Sequence, residues 1–215
     1  MKKIVVIVSF LFSSVLMAED IYNLKFDNIT GKLINPDSQY LNTGLKDQEQ
    51  GKIDSAIDNF TKSAEFGNYL AMSMIAYHHL SNKNYIESMA WLQLIDVNKF
   101  KRKDHKDNTG KMIKELKAYL MTDEMLKVDL RHAELKKSYG ALPTFQKRKD
   151  WKKRIKTPGS MTKFGIPPSL LLELESGIQI DAETVRSEVD DFVYNHEFSG
   201  QDAFVILKEG RLIQQ

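Results

Sequence analysis

The feature that most constrains this chain is an internal echo at 32 residues. Sliding the sequence by that length places Gly44 on Ala76, Ile53 on Tyr85, Ala56 on Ser88, Ile57 on Met89 and Phe60 on Leu92. Small residues fall on small ones and large apolar residues on large ones. A helical hairpin imposes this requirement: a small residue in the first helix lets the second approach, and a small residue in the second lets the next hairpin stack. The periodicity agrees. Ile53, Ala56, Ile57, Phe60 and Ala64 recur at three and four residues, the stripe of an amphipathic helix. Four helices are expected, over about 39–50, 53–64, 69–80 and 85–97, with breaks at Gly51, Gly67-Asn68 and Ser81-Asn82. Such a unit cannot bury its face alone, so further helices must close it.

The strings GKIDSAIDNFTKSAEFGNYLAMSMIAYHH and NYIESMAWLQLI carry a family likeness. Gly51, Ala56, Phe60, Ser63-Ala64, Gly67-Asn68, Ala71, Ala76 and the Ala90-Trp91-Leu92 run together resemble the Sel-one-like branch of the tetratricopeptide repeat family. Leu120–Gly140 is similar to the closing helix that follows such repeats in exported bacterial proteins. The likeness spans about 37–140 and departs at Ser88, where alanine is usual, and at Asp96, where a small residue is usual. It implies a mainly α fold of about two hairpin repeats with capping helices, and an adaptor role through protein or peptide binding. On that implication Tyr40, Asn42, Met72, Tyr77 and His79, all on first helices of the hairpins, are candidate lining residues of a groove.

The chain opens with Lys2 and Lys3, continues apolar from Ile4 to Met17 and reaches a small residue at Ala18. That order is the pattern of a cleavable secretory signal over 1–18. The run is shorter than the roughly 20 residues a membrane span needs. The expectation is a periplasmic or secreted protein with no transmembrane segment after removal. There is no cysteine, which excludes disulfides, thiolate metal sites and a cysteine nucleophile.

After the signal, residues 19–36 read as an irregular arm and 101–110 as a polar connector. Helices are expected at about 111–121 and 123–139, the second behind Thr122 as N-cap, with Leu126, Leu130, Ala133 and Leu135 packing back on the repeat. Residues 141–166 read as a basic linker and 167–215 as a small α+β tail. The tail's expected parts are a short helix at 167–177, a helix from Asp181 to Asn195 capped by Asp181, and two strands around Glu209-Gly210.

Charge is segregated along the chain. Residues 19–98 carry net −5, 99–163 net +12 and 164–215 net −7. Lys147, Arg148, Lys149, Lys152, Lys153, Arg154 and Lys156 concentrate the basic block, with Phe145 and Trp151 interleaved. Two readings follow: docking of this segment on the acidic tail, or binding of an anionic cell-envelope polymer or lipid head group. Nucleic acid is not expected as a partner of an exported chain.

No motif for nucleophilic catalysis or phosphate cradling is present, and no cofactor or metal set is expected. His78 and His79 are adjacent, about 100° apart on a helix, and do not chelate from one face. His105, His132 and His196 complete the histidines. Glu188, Asp190 and Asp191 read as a solvated acidic face. The alternative to a binding module is an envelope enzyme, or enzyme accessory, using His196, Glu197 and Asp191.

Overall fold

The computed structural model describes residues 22–156 and 165–195. Within them the chain is mainly helical, with two small two-stranded sheets. The first four helices are α1 (Pro36–Glu49), α2 (Ile53–Ala64), α3 (Tyr69–Ser81) and α4 (Tyr85–Leu92). Helix α1 packs along α2, α2 against α3, and α3 along α4. Phe60 explains the first contact: a Cβ on Gly44 would lie 2.7 Å from its ring, so only glycine lets the two backbones come this close.

The turns that end α1 and α3 have one geometry. Gly51 N–H donates to Gln48 and Lys52 N–H to Asp47, while Lys83 N–H donates to Leu80 and Asn84 N–H to His79. Gly51 (φ 74°) and Lys83 (φ 59°) both take the left-handed conformation. Ser88 Oγ donates to the Ala76 carbonyl at 2.8 Å. The hydroxyl at this small-residue position thus meets the facing backbone and is satisfied in a buried interface. Between α2 and α3, buried Asn68 caps α3 through Ala71 N–H at 3.1 Å and donates to Asp37 Oδ2.

Helix α4 ends at Leu92, earlier than its apolar pattern suggests, and a 3-10 turn follows at Val97–Lys99. Asp96 caps this turn by accepting Asn98 N–H at 3.1 Å. The expected polar connector at 101–110 is instead the first half of α5 (Lys103–Tyr119). Its buried stripe is His105, Thr109, Met112 and Leu116, and two polar members hide the period from an apolar reading. Helix α6 (Thr122–Tyr139) packs on α4. Thr122 is its first residue, not its cap; Glu124 Oε2 instead accepts Met121 N–H at 2.9 Å. The main core runs from Leu41 and Phe60 through Leu70, Met74 and Leu92 to Leu116, Val128 and Leu135.

The segment read as a linker is helical over α7 (Ala141–Lys153). Pro143 sits in the first turn, where it costs no helix hydrogen bond. After α7, β2 (Ile155–Lys156) pairs in parallel with β1 (Tyr22–Asn23) of the N-terminal arm. The helix expected at 167–177 is a hairpin: β3 (Leu171–Glu173) runs antiparallel to β4 (Gln179–Asp181), with Leu172 opposite Ile180. Leu170, Leu172 and Leu174 point inward while Leu171 and Glu173 are exposed, which is strand alternation. Helix α8 (Ala182–Tyr194) follows with the expected cap, Asp181 Oδ1 accepting Thr184 N–H at 2.8 Å. A second core joins Phe66 of the α2–α3 turn, Trp151 and Ile155 to Ile180, Val185, Val189, Phe192 and Val193. The described part of the tail thus docks on the helices. No helix among the described residues is long and apolar enough to cross a membrane.

Candidate functional site

The five residues expected to line a groove are not brought together. Met72 is fully buried in the core. From Leu70 to Ala76 every residue of α3 is buried, because α2 and α4 flank it and α5 approaches with Thr109 3.4 Å from Ser73. This part of α3 lines no open face. Tyr77 is half-buried and packs against the same core. Tyr40 stacks near Phe66, ring centroids 6.3 Å apart, with Lys62 over its face, so it belongs to the contact between α1 and the second core. Asn42 is exposed on α1. His79 lies at the other end of α3, where burial pulls its pKa below the ordinary 6.5 and nearby Glu87 opposes the shift.

Glu87 anchors a polar cluster between α4 and α6. Arg131 grips its carboxylate with two hydrogen bonds, at 2.7 and 3.0 Å, and reaches Glu134 at 2.8 Å; Trp91 Nε1 adds a third donor to Glu87 at 3.2 Å. Burial pushes the Glu87 carboxyl up, but Arg131 and the other donors outweigh it and hold the group below its ordinary value. The cluster clamps α6 to α4.

The basic segment is turned inward at Arg148 and Trp151. Arg148 is 8% exposed and Trp151 4%. Trp151 meets Phe192 edge to face at 5.2 Å. Arg148 donates to the Phe66 carbonyl at 2.7 Å and to the Val193 carbonyl at 3.4 Å. Gly67 makes room for it: its φ is +95°, and a Cβ there would sit 3.2 Å from the guanidinium. Lys147 pairs with Glu65 at 2.6 Å and Lys152 with Asp190 of α8. Lys153 pairs with Asp150 one turn earlier and remains exposed, and Arg154 is half-buried. Of the acidic face on α8, Asp190 is thus engaged, Glu188 accepts Leu33 N–H of the arm, and Asp191 is exposed. The stripe Thr144, Arg148 and Trp151, continued by Ile155 of β2, makes α7 a strut between the hairpins and the tail.

His105 is buried beside Phe100, and His78 meets His79 edge to face. His196, Glu197 and the strands expected around Glu209-Gly210 lie outside the described residues, as does the signal segment 1–18.

The surface that stands out is the outer face of α6. Val128 and Leu135 are buried against α4, whereas Leu126 is 63% and Leu130 64% exposed. At 100° per residue these two leucines share a face roughly opposite Val128. Ala133 is exposed beside them, and Tyr119 and Met121 add exposed apolar area at the corner where α6 begins. This corrects the expectation that Leu126, Leu130 and Ala133 pack on the repeat. Their helix is amphipathic twice over, and the sequence does not say which stripe faces inward. No family model, curated protein or solved structure matches the chain.

Proposed function

We propose that this chain is an exported, non-enzymatic helical-repeat protein that serves as a scaffold in the cell envelope, binding a partner protein through the outer face of α6. The carrying observation is the pair Leu126 and Leu130, standing in solvent on a helix already anchored by its other side. Apolar surface of this kind on an otherwise packed protein marks an interaction site. The partner's complementary feature is an apolar stripe on a helix, because two such stripes interdigitate at one turn's spacing.

Three observations support the repeat reading. The turns after α1 and α3 have matching hydrogen bonds and matching left-handed residues, 32 positions apart. The small residues at 44 and 76 each face the second helix of their own hairpin. Helix α6 then stands beside α4 with its outer side uncovered among the described residues, where a further hairpin would stack in a longer array. The basic–apolar–small order of residues 1–18 supports export. The burial of Arg148 and Trp151 and the pairing of Lys147 and Lys152 favour α7 as an internal strut over a polymer-binding strip.

A photo-crosslinking residue at position 126 or 130, introduced in cells, tests this. One adduct of discrete mass is expected from either position and none from exposed Asp54 on α2. Adduct formation from 126 should fall when Leu130→Glu is added. The Leu126→Glu, Leu130→Glu double variant should stay within about 0.5 kcal/mol of the parent in stability, as surface substitutions do. No adduct, or strong destabilisation by the double variant, refutes the reading.

A further inference from the structure

A cavity of about 200 Å³ opens where α2 turns into α3 and α6 turns into α7. Its wall includes Tyr69, Lys99, Tyr139, Gly140, Ala141 and Arg148, and no carboxylate. Counting about 30 Å³ per water molecule, the space holds roughly seven waters, or a ligand of similar size.

Arg148 is the unusual member. It is more than nine-tenths buried, yet forms no ion pair among the described residues. A guanidinium has five N–H donors. The bonds to the Phe66 and Val193 carbonyls use one each, which leaves three. Burial disfavours the positive charge of Arg148, and Asp37 supports it. Asp37 is itself engaged by Asn68.

Two further features have the same sign, and a phenol adds a neutral donor. Lys99 brings a second cation from the 3-10 turn. Gly140 has no side chain to cap α7, so the positive end of a 13-residue helix borders the space at Gly140 and Ala141. Tyr139 borders it with a phenol whose burial raises its pKa, with Glu65 reinforcing the shift, so the O–H stays a donor. Tyr69 is shifted the same way by burial and by Asp96.

We propose that this cavity binds a small oxyanion, a carboxylate or phosphate group, held by Arg148 and Lys99 against the start of α7. A buried cation with unused donors beside an uncapped helix N-terminus attracts acceptor oxygens, and a planar fork of N–H groups matches their geometry. This site lies on the α7 side of the molecule and does not depend on partner binding at Leu126 and Leu130.

The test is an amide-detected NMR titration of the purified protein with acetate and with inorganic phosphate, against sodium chloride at equal ionic strength. The expected result is saturable shifting of the Gly67, Gly140 and Ala141 amides by at least one of the two anions, beyond that caused by chloride. The stronger binder tells carboxylate from phosphate. Arg148→Lys should weaken binding roughly 10- to 100-fold, the range for losing hydrogen bonds to a charged group. Lys99→Gln, at an exposed position, and Tyr139→Phe should each weaken it several-fold. They carry the test if Arg148→Lys disturbs the fold. Shifts no larger than those from chloride overturn the proposal, as does unchanged affinity in both Lys99→Gln and Tyr139→Phe.

Discussion

Alanine at Gly44 and alanine at Gly110 are the same chemical change in the interiors of two helices, and they should move stability in opposite directions. In an open helix, glycine to alanine removes backbone freedom from the unfolded chain and gains about 1 kcal/mol. Gly110 in α5 is such a site, since nothing lies within 4 Å of an added Cβ. At Gly44 the added Cβ would lie 2.7 Å from Cδ1 and Cε1 of Phe60 and 3.1 Å from the Ala56 carbonyl oxygen. Phe60 is 1% exposed, so its ring has nowhere to go and α1 must shift from α2. Overpacking of this kind costs about 1–3 kcal/mol. Set against the helix gain, Gly44→Ala is left about 1 kcal/mol less stable, and the two variants differ by about 2 kcal/mol. For a chain of this size that is roughly 2–4 °C in Tm per kcal/mol, a gap of about 4–8 °C. Thermal melts and urea titrations followed by circular dichroism at 222 nm, with unchanged urea slopes, would measure it. If Gly44→Ala is stabilised as much as Gly110→Ala, glycine does not set the α1–α2 distance, and the small-on-small argument for the hairpins fails.

Two other outcomes follow from local geometry. Lys83→Gly should stabilise by about 0.5–1 kcal/mol, because lysine there holds a left-handed φ of 59° that only glycine takes without strain; urea midpoints check it. Glu87→Gln should weaken the α4–α6 clamp at pH 7 by roughly 1 kcal/mol or less, since Arg131 is partly exposed. The Glu87 carboxyl is held below its ordinary 4.5, so its contribution is complete above that value and is lost as pH falls through the lower folded-state value. The parent and variant stability curves should therefore converge on acidification, and parallel curves from pH 7 to pH 3 would contradict the assignment.

Legibility divides along the interior chemistry of each helix. Where the buried stripe is wholly apolar or small, as with Ala56, Phe60 and Ala64 in α2 or Val185, Val189 and Phe192 in α8, the sequence states the helix and its inward face. In α5 and α7 the stripe includes His105, Thr109, Thr144 and Arg148. Those residues look like connector or linker composition until a neighbouring element covers them. The exposed leucines of α6 show the opposite limit: apolar residues at helical spacing do not by themselves face inward.

The sequence by itself determined the hairpin spacing, the helix-breaking turns and the cap at Asp181, because these depend on steric size and hydrogen bonding within a few residues. Tertiary structure alone decided that 170–174 alternates as a strand, that Arg148 and Trp151 turn inward, and that Leu126 and Leu130 face water. Each of those outcomes depends on which distant element covers the residue. Burial is a property of the pair in contact, and neither partner's local sequence specifies it.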